Sequence, residues 1–307
     1  MPTTEITPDP GTGTGTGTGH TTGITPDIAP DSTVAGLDRL ETAAGPAVPR
    51  ARRVFSVLWP KISAVVLALV LWQIVVWSGW KPTYVLPPPT KVFAELRDLV
   101  VTGTFWHSVG ITMRRAAIGF AIALVIGSAL GAVVSQSSIV RRAFGSFITG
   151  LQTMPSIVWF PFAILLFKLT ESAILFVVVL GAAPAIANGL IFGVDHVPPL
   201  LVRAGRVLGA RGFTLFRSVI LPAALPSYVS GLKQGWAFAW RSLMAGELLV
   251  IVGNTASLGV RLDFARTMSD APLLLAYMIV ILIVGLCVDA VFGAIDRRVR
   301  RTRGLAA

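Results

Sequence analysis

Six stretches of the chain stay apolar for about 20 residues, the length an α-helix needs to cross a bilayer core of roughly 30 Å. They lie at about 62–80, 113–136, 146–168, 172–193, 226–252 and 272–293, and polar, charged or proline-bearing segments separate them. The pattern predicts an all-α polytopic membrane protein with about six transmembrane helices. Residues 1–53 follow no such pattern. Thr, Gly, Pro and Asp dominate there, and Gly11 to Gly19 alternates Gly with Thr. That composition predicts a disordered tail over 1–53 ahead of a transmembrane domain over 54–303. The tail lacks a basic start followed by an apolar run, so no cleaved signal peptide is expected.

Composition agrees with the pattern and charge orients it. Hydrophobic residues make up 54%, charged residues 13%, and the mean hydropathy is +0.75, too few charges to cover a soluble surface of this size. The net charge of +11 does not indicate nucleic acid, because the basic residues stand in short clusters beside apolar runs, as insertion signals do. Arg50, Arg52, Arg53 and Lys61 precede the first span, Arg141 and Arg142 follow the second, and Arg203, Arg206, Arg211 and Arg217 follow the fourth. Arg297, Arg298, Arg300, Arg301 and Arg303 follow the sixth. If the spans alternate, all four clusters share one side, which places both termini and the loop at about 195–222 in the cytoplasm. Arg114 and Arg115, near the outer start of the second span, fit this scheme least. Trp77, Trp80, Tyr84 and Trp106 gather at the expected outer boundary as interfacial anchors. Between them, Tyr84 to Thr102 reads as an extended prolyl stretch running into an amphipathic helix with a Val92, Leu96, Leu99 and Val100 stripe.

Small and polar residues mark the interior. Gly127 and Gly131, with Gly119 above them, form a seam on which helices approach closely. The third span contains L-Q-T-M-P-S-I-V-W-F-P from Leu151 to Pro161, and the fourth contains Pro184, Asn188 and Gly189. Such prolines free carbonyls that a neighbour or water must satisfy. On the fifth span, Lys233, Trp236, Trp240, Met244 and Glu247 share a face, and Arg241 points about a third of a turn away. Ionisable groups at this depth cost roughly 2.5–3.5 kcal/mol on insertion scales, so they face a cavity or a partner. Trp236, Trp240, Arg241 and Glu247 are therefore candidate translocation-pathway residues, with Arg241 passing an anion and Glu247 pairing with a basic group or with another subunit. A structural ion pair between helices is the alternative. Asp289 and Asp296 close the sixth span before the basic end.

Between the fourth and fifth spans the chain reads Arg203-Ala204-Gly205, then Gly209, Val219, Leu221 and Pro222. This spacing resembles the cytoplasmic EAA loop of binding-protein-dependent ABC importer permeases, with Arg203 for the usual Glu, Gly205 for the second Ala and Val219 for Ile. The run at Leu151–Pro161 is similar to that of the sulfonate, taurine and nitrate branch, as is Trp240 to Val250. The resemblance covers about residues 60–300 and implies the MetI-like type I permease fold in a bacterial plasma membrane. It also implies a homodimer, with ABC ATPase subunits docked on Arg203, Ala204, Gly205, Gly209, Val219, Leu221 and Pro222, and an extracytoplasmic solute-binding protein. In such loops the Gly corresponding to Gly209 makes the turn of a compact knob, and Pro222 is expected to set the start of the fifth helix. A Glu near position 247 is usual in the family, and here it follows Gly246.

No G-x-x-x-x-G-K-[ST] is present, so ATP is expected to bind the partner and this chain to need no cofactor. His20, His107 and His196 are scattered, which predicts neither a metal site nor catalytic residues. The lone Cys287 cannot form an internal disulfide. An ion-coupled secondary transporter would call for inverted repeats that the sequence does not display. A membrane-embedded enzyme would call for a catalytic set, which is likewise missing. Among solutes the resemblance ranks aliphatic sulfonate and taurine first, then nitrate, bicarbonate and thiamine-precursor-like molecules.

Overall fold

A computed structural model describes residues 50–253 and 255–302, with side chains from Trp59 onward except that of Ser138. The expected tail thus lies outside the described residues, apart from the four that open the first helix. The chain divides into two compact units, 1–64 and 65–307. The described part of the first unit is the opening of helix α1 (Arg50–Trp77). The candidate membrane-crossing part of α1, Trp59–Trp77, is mostly apolar, with Lys61, Ser63 and Gln73 as its polar exceptions, and its most apolar window has no buried residue.

The second unit continues with α2 (Pro89–Val101), α3 (Gly103–Gln136), α4 (Ser138–Thr153), a 3-10 turn (Ser156–Trp159), α5 (Phe160–Phe167) and α6 (Glu171–Asp195). Then follow α7 (Pro199–Val207), α8 (Gly212–Leu215), a π turn (Phe216–Ile220), α9 (Leu221–Leu249), α10 (Leu258–Thr267) and α11 (Ala271–Thr302). Among the described residues, five helices are long and apolar enough to cross a membrane, and α4 with α5 makes a sixth, broken candidate. The all-helical, roughly six-span expectation therefore stands.

α6 is the centre. Over half of its apolar window is buried, 56% against 28% for α3 and 17% for α11. Small side chains make this possible, because lipid and leucine are equally apolar and only close backbone approach rewards a partner. Gly189 of α6 meets Gly231 of α9 so closely that a Cβ on either would lie 2.5–2.6 Å from the other's Cα. On the opposite flank a Cβ at Gly127 would lie 2.6 Å from the Ala183 carbonyl, so the glycine seam on α3 is where α3 meets α6.

Three elements depart from the sequence expectations. The window at 146–168 is not one straight helix: α4 and the turn leading into α5 are bent by 99°. The cause is Pro155, which has no N–H and drives Met154 out of the helical region to ψ 131. Asn188 of α6 donates to Gln152 at 2.7 Å and ties down the bend. The fifth span is helical from Gly212, well before the expected 226. Its α-helical part, α9, does begin at Leu221 with Pro222 in the first turn, as expected, and the π turn just ahead of it widens the helix where a residue without an N–H interrupts the bonding pattern. Finally, Leu96 and Leu99 of α2 pack inward against Phe105, Leu258, Tyr277 and Val280 and Val92 is fully buried, while Val100 breaks the stripe and stays exposed. Trp77, Trp80, Tyr84 and Trp106 are all largely exposed, as expected of anchors.

Candidate functional site

The segment joining α6 to α9 folds into a knob. Pro199 opens α7, where a missing N–H costs nothing. The helix ends at Gly209, whose φ of +86° is left-handed backbone that a side chain rarely adopts. Beyond it the Ala210 N–H donates back to the Gly205 carbonyl at 3.0 Å, a helix-closing bond of the kind that follows a left-handed residue. Gly205 is buried, and a Cβ there would meet Leu215 Cδ1 at 2.8 Å and Val219 Cγ2 at 3.0 Å. Gly205 and Val219 therefore form the inside of the knob, whereas Arg203, Ala204, Arg206 and Arg211 face outward. Leu221 and Pro222 are half-buried at its base. The tip is apolar: Val207 is 87% and Leu208 88% exposed.

The candidates on α9 separate into two environments. Trp236 and Trp240 stack at 6.3 Å between centroids with their planes 23° apart, and Trp236 also stacks on Phe292. With Met244 they line a cleft of about 500 Å³ between α9 and α11, closed on the other side by Met278, Leu282 and Asp289. Lys233 pairs with Asp289 at 3.2 Å. Arg241 is exposed, donates from Nε to the Ala237 carbonyl at 3.1 Å and lies 4.7 Å over the Phe238 ring. It borders the cleft and also a second one of about 340 Å³ against the Leu151–Ile157 bend.

Glu247 does not line the cleft. Two turns beyond Trp240 the flanking element changes from α11 to α3, and Glu247 becomes fully buried. Its carboxylate accepts from Thr112 Oγ1 at 3.0 and 3.2 Å, from Arg115 Nη1 at 3.2 Å and from the Gly259 N–H at 3.0 Å. Thr112 Oγ1 in turn accepts from the Leu258 N–H at 3.0 Å. Arg115, 4% exposed, reaches the other way to Glu171 at 3.0 Å and to Thr255 Oγ1 at 3.0 Å. One guanidinium thus joins α3, the start of α6, the end of α9 and the connection to α10, and both carboxylate oxygens of Glu247 have partners. Of the two roles considered for Glu247, this is the interhelical ion pair.

Sequence reasoning missed Arg115, Thr112, Glu171 and Thr255. In the sequence Arg115 stands out only as a poor fit to the charge rule. A signal is present in the spacing: Ser108, Thr112, Ala116, Gly119, Ala123, Gly127 and Gly131 recur every three or four residues along α3, all of them are buried, and Arg115 adjoins this stripe. An arginine beside an interior stripe needs an interior carboxylate.

Comparison with known proteins agrees with this architecture. The family model for the binding-protein-dependent transport system inner membrane component matches residues 121–301. An ABC transporter permease protein of Methanocaldococcus jannaschii is 30% identical over 233 residues, 75% of this chain and 86% of that one. An aliphatic sulfonates transport permease of Bacillus subtilis is 26% identical over 242 residues, 79% of this chain and 86% of that one. A nitrate import permease of Leptolyngbya laminosa is 28% identical over 224 residues, 69% and 78% respectively. In fold, the chain is similar to one in an inward-facing structure of the MetNI methionine ABC transporter, with a TM-score of 0.54 and 21% identity over 66% of this chain and 96% of that one. The chain therefore belongs to the inner-membrane components of binding-protein-dependent transport systems, as a multi-pass transport subunit and not an enzyme.

Proposed function

We propose that this chain is the permease subunit of an ABC importer for a small anionic solute, with aliphatic sulfonate or taurine ranked first. A separate ATPase docks on the knob and binds the nucleotide, and an extracytoplasmic binding protein delivers the solute to the opposite face. Two copies of the chain enclose the path, and both termini lie in the cytoplasm. The observation that carries this reading is the tip of the knob. Val207 and Leu208 stand almost fully exposed amid Arg203, Arg206 and Arg211, and a segment that lies outside the apolar spans yet presents bare apolar side chains has a protein partner to cover them. The knob residues Arg203, Ala204, Gly205, Gly209, Val219, Leu221 and Pro222 are assigned to that contact. Trp236, Trp240 and Arg241 are assigned to the path, and Glu247 to holding its wall.

Relatives for sulfonate and nitrate are 26% and 28% identical, so identity alone does not choose between them. Nitrate, bicarbonate and thiamine-precursor-like solutes are the second reading, and the basic character of Arg241 suits sulfonate, nitrate and bicarbonate alike. The test is uptake of labelled taurine and a longer alkanesulfonate in cells with and without the gene, with sulfate as control. Gene-dependent sulfonate uptake is the expected result, and uptake of nitrate alone would replace the solute while keeping the permease.

Gly209→Asp tests the knob. The variant is expected to insert at normal levels, because a Cβ at Gly209 meets nothing within 4 Å. Forcing a side chain onto left-handed backbone costs about 1–2 kcal/mol and reshapes the tip. ATP-driven uptake is expected to fall at least tenfold, and retained uptake would count against docking here.

A further inference from the structure

The cleft between α9 and α11 has a composition that speaks to the solute itself. We propose that, within the sulfonate class ranked first above, it favours an organic monoanion with an apolar body, an aromatic sulfonate ahead of an alkanesulfonate and both ahead of taurine or an inorganic oxyanion; this rests on the permease reading above.

Charge comes first. Among the described residues, the only ionisable side chains lining the cleft are Arg241 and Asp289. Asp289 is occupied by Lys233 at 3.2 Å, whereas Arg241 forms no ion pair among the described residues. One uncompensated positive charge therefore borders the space, which matches one anionic group.

The remaining wall is hydrocarbon, indole and thioether: Trp236, Trp240, Met244, Met278 and Leu282. A bare oxyanion entering it gives up hydration on every side and receives one guanidinium in exchange. A solute with an apolar body gives up water only around its head, and its body displaces water from the tryptophans. Trp240, half-buried and backed by the near-parallel Trp236 ring, offers an indole surface, and thioethers pack well on ring edges. A cleft of about 500 Å³ is also far more space than nitrate or bicarbonate fills.

The experiment uses the full chain in phosphatidylcholine nanodiscs with naphthalene-2-sulfonate as probe, followed by calorimetry. Saturable binding is expected, weakened at least tenfold by Arg241→Gln and by Trp240→Ala and less by Trp240→Phe, which retains an aromatic face and guards against misfolding. A hundredfold excess of nitrate is expected not to displace the probe. The inference is overturned if no saturable binding occurs, if nitrate competes on equal terms, or if correctly folded variants bind as the parent does. It is also overturned if phosphatidylglycerol in the disc abolishes binding, which would make the occupant a lipid. Loss of self-association in the Trp240 variants would overturn it too, making the occupant a second copy. Probe binding with no ATP-dependent uptake of any anion would count against the permease reading alone. Gene-dependent nitrate uptake without probe binding would overturn this inference alone.

Discussion

Arg115→Met is expected to remove most of the folded protein. Breaking a buried ion pair from one side leaves a carboxylate with no compensating charge, which costs about 3–5 kcal/mol. Glu247 has no route to water, being 0% exposed, so the full penalty applies. Glu171 is in a different position: at 44% exposure it can rotate to solvent, and Glu171→Gln is expected to cost no more than about 1 kcal/mol. The decisive variant is the double change Arg115→Met with Glu247→Leu. It removes both charges and is expected to recover most of the lost stability, because replacing a buried pair by apolar groups of similar volume is often neutral. Monodispersity after a heating series in detergent would check all three. A double variant as unstable as the single one would mean that shape and hydrogen bonding, not the uncompensated charge, account for the loss.

Gly189→Val is the second change with a large expected effect. Its Cβ would stand 2.5 Å from Gly231 Cα, and backbone, unlike the end of a side chain, does not move aside. The helices must separate or the chain must fail to pack, at a cost of about 3 kcal/mol, the upper end for overpacking. Gly231→Val is expected to behave alike, since the contact is reciprocal. Gly150, where a Cβ meets nothing within 4 Å, is the control, and Gly150→Val is expected to lower the melting temperature by far less. Equal losses at Gly189 and Gly150 would indicate that helix propensity, and not the close approach, sets the cost.

Much of the architecture is legible in the sequence because a bilayer imposes simple rules. Span number follows from apolar length, and the seam at Gly127 follows from its small residues, since these let helix backbones approach closely in lipid. The knob is legible through Gly209 and its spacing to Val219. What stays hidden depends on direction. Apolar length cannot distinguish a straight span from one that turns, so in the sequence the 99° bend at Pro155 looks like a helix with prolines in it. Helical periodicity places Glu247 on the face of Trp240, which is correct for one helix taken alone. It does not say that the neighbouring element changes from α11 to α3 between those two residues. Arg115 is hidden for the same reason, because its partners are 56 and 132 residues away along the chain.

The Gly189–Gly231 contact also acts as a fulcrum. The knob hangs from one end of the α6–α9 pair, between Asp195 and Leu221, while Glu171 and Glu247 hold the other end, about 36 Å away. Two helices in backbone contact cannot slide past each other to absorb a push. A force on the knob therefore arrives as rotation, and a tilt of about 10° around Gly189 displaces the knob end, about 9 Å away, by about 1.6 Å and the far end, about 27 Å away, by about 5 Å in the opposite direction. With a stiff rod and an off-centre pivot, a small shift at the knob and a larger one at the far end are a single motion.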